Sequence, residues 1–287
     1  MTTPAQPARP ALEIRSHGVS DKGRVREHNE DQFLIAELAK AMHFVGSTVA
    51  EPRTIFSNQR AHLFAVADGM GGHSAGAEAS ALAVRSIEGF VLESLRWFSD
   101  VRTDDAGLLR DFCSALVDAD ARLIEVGARS PETSGMGTTM TVAWCQDAEL
   151  RVLHVGDSRC YLARGGVLHQ LTQDHTLVGE LVRNRVITPA QASEHVMRHV
   201  VTNAVGGTTQ GVHVEVQRTR IEPGDALLLC SDGLTGMVAD EEICAILAAE
   251  PDPRAACQRL ITAALEAGGK DNVTVIVARC GPAAPPG

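Results

Sequence analysis

A chain of 287 residues is long enough for one large domain, and 44% hydrophobic residues can fill a substantial core. Aromatic residues make up only 3%, so that core has to be assembled from Ala, Val, Leu and Ile. A formal net charge of −10, with no cluster of Lys and Arg, excludes the nucleic-acid backbone and the anionic membrane surface as main ligands.

The chain opens with Met1–Pro10, rich in Pro and Ala and without a charged-then-apolar targeting pattern, so a disordered tail is expected over residues 1–12. VREHNED then places Arg26, Glu30 and Asp31 just before the short apolar segment Gln32–Ala36. Glu37–Arg60 reads as a surface insertion. His62–Ala67 is an apolar run that stops abruptly at Asp68-Gly69. Ala75–Trp97 carries Ala79, Leu82, Ala83, Ile87, Phe90 and Val91 at helical spacing, and Asp105–Gly127 does the same with Leu108, Phe112, Leu116, Ala119 and Leu123.

Thr138–Cys145 and Leu150–Val155 read as neighbouring strands, and Gly165-Gly166 joins Cys160–Arg164 to Val167–Leu171 as a hairpin. His175–Gly207 is polar and helix-like, with Thr188-Pro189 as cap and first turn, and reads as a subdomain beside the sheet. Val212–Arg220 and Ala226–Cys230 flank the turn Pro223-Gly224-Asp225. Two short helices follow: Asp240 is the expected cap of the first, while Asp252-Pro253 opens the second and Gly268-Gly269 ends it. Asn272–Cys280 is a last strand, and residues 281–287 form a second expected disordered tail.

Strands joined by hairpins, with the helices in separate blocks, indicate an α+β fold of antiparallel sheet covered by helices, not a doubly wound parallel sheet. Residues 13–280 are expected to form a single domain. No stretch approaches a membrane-spanning length, so the cytoplasm is the expected compartment and a monomer the expected state. The seven cysteines are odd in number and lack Cys-x-x-Cys spacing, as expected of reduced core residues.

The chemistry gathers at strand ends. Asp68, Asp157 and Asp232 each follow an apolar strand at a turn, and Asp271 precedes one. A strand end holds a carboxylate firmly at a sheet rim and leaves its oxygens open to a cleft. Any single Asp-Gly after a strand is usually just a turn. Arg26 alone would be a solvated charge, and His73 and His175 surface or capping residues. If the rims coincide, however, the carboxylates repel one another unless cations are present. An all-oxygen set suits Mg²⁺ or Mn²⁺ and is poor for zinc.

Arg26-x-x-Asn29-Glu30-Asp31, Asp68-Gly69-Met70-Gly71-Gly72-His73, Gly137-Thr138-Thr139, Gly156-Asp157-Ser158-Arg159, Ser231-Asp232-Gly233-Leu234 and Asp271-Asn272 occur in that order. The sequence from His17 to Arg279 thereby closely resembles the metal-dependent protein phosphatases, the type 2C serine/threonine phosphatases, in their bacterial form. The resemblance implies a four-layer α-β-β-α sandwich with a metal cleft at one end and a mobile flap at 175–207. It implies that Asp68 bridges two metals, that the Gly69 carbonyl helps to hold one, and that Asp232 and Asp271 ligate the first. Glu30 would serve the second metal largely through water, and Asp157 with Asp232 a third, weaker ion. Arg26 would contact the substrate phosphate.

The implied reaction is hydrolysis of phosphoserine and phosphothreonine in proteins, opposing a serine/threonine kinase, by a metal-activated water. No cysteine nucleophile is called for. Met70 stands where eukaryotic relatives often carry a histidine, which leaves the proton donor to the departing oxygen open. A binding module on the same fold would have lost metal ligands, and a small-molecule phosphoesterase would need an enclosed pocket. A haloacid-dehalogenase-type enzyme would need Asp-x-Asp at Asp68 or Asp232, and neither has it.

Overall fold

The structure, a computed structural model, describes residues 12–43, 54–71, 74–93, 105–207 and 211–282. In chain order the elements are β1 (Leu12–Asp21), β2 (Gln32–His43), β3 (Thr54–Ala67), β4 (Gly69–Met70), α1 (Ser74–Glu93) and α2 (Asp105–Gly127). β5 (Gly137–Thr138), β6 (Met140–Gln146), β7 (Glu149–Val155), β8 (Arg159–Arg164) and β9 (Val167–Gln170) follow. Then come α3 (Leu177–Arg183), α4 (Pro189–Ser193), β10 (Val205–Gly206), β11 (Glu215–Arg220) and β12 (Ala226–Cys230). The chain closes with α5 (Asp232–Thr235), α6 (Asp240–Ala249), α7 (Pro253–Glu266) and β13 (Val273–Pro282).

The strands form two five-stranded sheets, β1-β13-β12-β8-β9 and β11-β7-β6-β3-β2, with a small sheet β10-β5-β4 beside them. Period-two alternation in the central strands explains why the large sheets stack. Phe64 and Val66 of β3, Leu227 and Leu229 of β12, and Ile276 and Ala278 of β13 meet in the core between the sheets. Their neighbours face outward but are equally buried. Leu63 and Ala65 pack under α1 and α2, and Leu228, Val275 and Val277 under α6 and α7. Strands apolar on both faces demand helices on both outer sides, which gives the four-layer α-β-β-α sandwich.

Three of the few aromatics meet under the helices. Phe112 of α2 lies 5.5 Å from Trp144 of β6 and 4.9 Å from Phe90 of α1, at tilted and edge-on angles. All seven cysteines are free, and five of them are buried.

Several element boundaries differ from the expectations. β1 does not stand out as a strand in the sequence, and Leu12 and Pro282, assigned to the tails, pair with each other at the β1–β13 edge. Gly281 likewise belongs to β13. Residues 1–11 and 283–287 lie outside the described residues. Much of the supposed insertion Glu37–Arg60 is the far end of a long β2–β3 hairpin, paired from Gln32↔Ala67 to His43↔Thr54 with a register shift near Lys40. Glu37 and Lys40 among alanines concealed the strand, and cross-strand pairing overrode the helical propensity of that composition. The expected helix extension towards Trp97 and His73 also fall outside the described residues. Asp240 is not the cap of α6. Ala239 occupies that position, and the Asp240 carboxylate instead accepts a 3.1 Å hydrogen bond from the Tyr161 hydroxyl.

Candidate functional site

Antiparallel register brings the site to one end of the sandwich. Gln32 at the start of β2 pairs with Ala67 at the end of β3. Met140 at the start of β6 pairs with Val155 at the end of β7. In the other sheet, Asp21 at the end of β1 pairs with Val273 at the start of β13, and Cys230 ends β12 against Val275. The loops carrying Arg26, Glu30 and Asp31, and those carrying Asp68, Asp157, Asp232 and Asp271, therefore open on the same rim.

The rim is assembled by backbone contacts that leave the carboxylates to converge. Asp68 is fixed through its main chain: its N–H donates to Thr139 Oγ1 (2.9 Å), and its carbonyl accepts from Thr139 N (2.9 Å) and the Thr138 hydroxyl (2.8 Å). Gly69 has to be glycine, since a Cβ there would sit 2.1 Å from the carbonyl oxygen of Gly76 at the start of α1. Asn272 ties the N-terminal loop to β13. Its Oδ1 accepts from Glu30 N (2.8 Å), and its Nδ2 donates to the carbonyls of Lys22 and His28 (2.9 Å each). Arg26 donates through Nη2 to Asp271 Oδ2 at 2.8 Å, and its side chain remains 52% exposed.

Electrostatics bear on what the rim can hold. Burial, reinforced by Asp31, Asp232, Asp157 and Asp271, pushes the Asp68 carboxyl well above the usual range. Burial followed by the charge of Asp232 pushes Asp157 up to about 7. Asp31, which the motif reading left without a role, is 3% exposed and also pushed up to about 7, by burial first and then by Asp232 and Asp271. Asp31 Oδ2 accepts from the Ser231 hydroxyl at 2.7 Å. Asp31 Oδ1 and Asp232 Oδ1 are both buried without a hydrogen-bond partner. Among the described residues, no three of these carboxylates bring an oxygen each within 4.8 Å of one another, which leaves room between them for ions. Unpartnered, like-charged oxygens on a rigid frame fit hard divalent cations.

All the expected site residues, Arg26, Glu30, Asp68, Gly69, Asp157, Asp232 and Asp271, thus share one rim. His175 does not join the carboxylates and is no surface residue either: its side chain is 12% exposed and stands at the base of the segment 175–207. From that segment His199, which no sequence signal singled out, reaches back to place Nδ1 3.8 Å from Asp232 Oδ2. Arg159, two residues after Asp157, holds the entry to that segment by a two-pronged bond to Asp174 (2.8 and 2.7 Å).

Two competing chemistries can be judged on the structure. Cys145 and Arg151 do have the Cys-x₅-Arg spacing of tyrosine phosphatases. They lie, however, on the arms of the β6–β7 hairpin, and burial raises the Cys145 thiol far above any reactive range. Two surface cavities, of ≈370 and ≈320 Å³, are lined by residues around Arg15 and Arg279 and around Glu242 and Arg259. Neither includes a rim residue.

The sequence profile of the Protein phosphatase 2C family matches residues 53–267. Over 273 residues the chain is 35% identical to the serine/threonine protein phosphatase PstP of Mycobacterium tuberculosis, covering 94% of this chain but 46% of that protein. Over 259 residues it is 33% identical to the serine/threonine phosphatase stp of Listeria innocua, covering 90% of this chain and 92% of that one. A solved catalytic domain of PstP in complex with two manganese ions superposes with a TM-score of 0.74 at 33% identity, covering 94% of this chain and all of that one.

Proposed function

This chain belongs to the protein phosphatase 2C family, and from that premise we propose that it hydrolyses phosphoserine and phosphothreonine in protein substrates, opposing a serine/threonine kinase. Residues 13–280 act as one catalytic domain with 175–207 as its flap. The protein works as a monomer in the cytoplasm. Among the described residues no helix is long and apolar enough to cross a membrane.

The observation that carries the reading is the rim itself, where buried carboxylates crowd together and Asp232 Oδ1 lacks a partner. Asp68, Asp232 and Asp271 would hold one divalent cation, Mn²⁺ or Mg²⁺, and the Gly69 carbonyl would help to hold one of the ions. Asp68 and Glu30 would hold a second, and Asp157 with Asp232 a weaker third. When bound, the cations supply Lewis acidity, offsetting negative charge and lowering the pKa of water at the site towards neutrality.

The remaining work falls to the chain's own groups. Arg26 carries a planar fork of donors, one of them already on Asp271, and enough exposure to take phosphoryl oxygens with the others. Water attacks phosphorus as the bond to the serine or threonine oxygen breaks, and charge on the equatorial oxygens is offset by Arg26. Met70 has no proton to give, so the leaving oxygen takes its proton from water or from a nearby histidine, and His199 Nδ1, 3.8 Å from Asp232 Oδ2, is one within the site. The backbone grip of Thr138 and Thr139 keeps Asp68 in place throughout.

Phosphate release from a phosphothreonine peptide tests the proposal, measured with Mn²⁺, with chelator, and with Asp232→Ala. Release that requires the metal and falls by about 10³-fold in the variant is expected. Folded wild-type protein that releases no phosphate with Mn²⁺ or with Mg²⁺ in its place would overturn the proposal.

A further inference from the structure

Among the described residues, His154, His175 and Glu215 bring one donor atom each within 4.8 Å of one another, a grouping a transition metal could use. The hydrogen bonds decide against a metal there. Gly156 N–H donates to His175 Nδ1 at 3.1 Å, and the Asn203 side-chain amide donates to the same nitrogen at 3.0 Å. That amide cannot be turned round. Its Oδ1 accepts from His213 N (3.0 Å) while its Nδ2 also donates to the His213 carbonyl (2.7 Å). Nδ1 of His175 therefore keeps its lone pair for these donors, and the ring proton sits on Nε2, facing Glu215 Oε2 at 3.7 Å. A protonated nitrogen is not a metal ligand.

The same bonds give His175 a different task. We infer that His175 is a positioning residue that locks the Gly156-Asp157 turn to the neck of the flap. Its main-chain N–H donates to the Gly156 carbonyl at 2.7 Å while its ring accepts from Gly156 N–H, so one residue holds both polar groups of that glycine. Its own carbonyl accepts from Thr202 N at 2.8 Å, across the neck. There Thr176 and Val201 form a β-bridge, and Leu177 N donates to the Val200 carbonyl at 2.9 Å.

Gly156 has little else to fix it. Its φ is +109°, and a Cβ would fall 2.5 Å from Thr139 Cγ2, so the position admits no side chain that could pack. The next residue is Asp157. A displacement at the neck is passed through His175 and Gly156 to the Asp157 carboxylate, and a cation drawn to Asp157 stabilises the closed neck in return. This coupling rests on the proposed role of Asp157 as a cation ligand.

Three variants separate this role from mere packing. His175→Asn sets its Oδ1 near the place of Nδ1, His175→Gln sets an acceptor near Nε2, and His175→Leu has neither. Two readouts follow each: Mn²⁺ binding by titration calorimetry, and tryptic cleavage within the flap at Arg183, Arg185 and Arg198. Asn is expected to behave as wild type. Gln and Leu are expected to weaken the weakest-bound Mn²⁺ by about 10-fold, the scale of second-sphere changes at metal sites, and to lose Mn²⁺ protection of the flap from trypsin.

Equal behaviour of Asn and Gln, or unchanged Mn²⁺ binding in all three, would overturn the inference. If Leu does not fold, the Asn–Gln comparison decides alone. Wild-type protein that binds no Mn²⁺ would overturn the cation reading of the rim, while flap cleavage in the variants would still decide whether His175 holds the neck.

Discussion

Asp31 and Asp157 at the rim are 3% and 8% exposed, while Val196 in the flap is 93% exposed and α4 contributes no buried residue at all. The rim gathers like charges on strand ends fixed from both sheets, with carboxylate oxygens left unpartnered. The flap does the reverse. Thr176 caps α3 by accepting from Gly179 N, and Thr188 and Gln191 form a reciprocal capping box at α4, so the starts of its two helices are satisfied within a few residues. The difference teaches where energy is stored. The rim is held in a repulsive arrangement that a cation relieves, whereas the middle of the flap around α4 buries nothing and has little to lose by moving beyond the contact of His199 with Asp232.

Replacing Asp68 tests the first half most severely. Asp68→Asn keeps the shape and removes a carboxyl that four like groups oppose. In chelator, the variant is expected to melt several degrees above wild type, at about 2–4 °C per kcal/mol of relieved repulsion. With Mn²⁺ the order should reverse, because wild type gains stability from the ion and the variant gains little. Phosphate release should fall by about 10³-fold or more. Calorimetric melting with and without metal gives the answer, and a variant less stable than wild type in chelator would show that Asp68 is a satisfied structural residue.

A middle-sized effect comes from the polar layer between rim and flap. His154 is buried in β7, with Nδ1 2.9 Å from Thr141 Oγ1 and Nε2 3.1 Å from the Gln173 carbonyl. Burial first, and then the neighbouring His175, pushes its pKa down to about 3; Asp174 opposes this without overcoming it. A histidine with a depressed folded pKa stays neutral in the fold while the unfolded chain takes up a proton below about 6.5. Its contribution is thus fully present above pH 6.5 and is lost as pH falls from there towards 3. Between pH 6.5 and 4.5 wild type should lose stability faster than His154→Gln, by a margin that rises to about 1.4 kcal/mol per pH unit near pH 5, read from urea midpoints across that range. Parallel slopes for the two proteins would mean that His154 is not held neutral.

Much of the rim was legible because apolar runs such as Leu63–Ala67 and Leu227–Cys230 end within two residues of an aspartate, and a strand end is a local event. The paired long helices were legible for a similar reason, since Leu108, Phe112, Leu116, Ala119 and Leu123 mark one face of α2 without reference to anything else. What stayed hidden depended on distant partners. Leu12–Asp21 is a strand because it lies along β13, more than 250 positions away. Asp31 sits beneath the rim because Ser231, 200 positions on, binds it. His175 and His199 had no periodicity or motif to mark them, and their places follow from how the flap folds back on β7 and β12.

The second half of the comparison predicts a small effect in the place where local bonding is best. Thr188 Oγ1 accepts from Gln191 N, and Gln191 Oε1 accepts from Thr188 N at 2.8 Å, closing the first turn of α4. Removing such a cap costs about 1 kcal/mol of local helix stability. α4 buries nothing, so the loss should stay within the flap: Thr188→Ala should leave the global melting temperature almost unchanged while trypsin cuts faster at Arg185 and Arg198. Hydrogen exchange would place the opened amides at Gln191 and its neighbours, and leave those of β7 and β12 as slow as before. A drop in global melting temperature matching the full cost of the cap would mean that the flap unfolds together with the sandwich, and the contrast between rim and flap would fail.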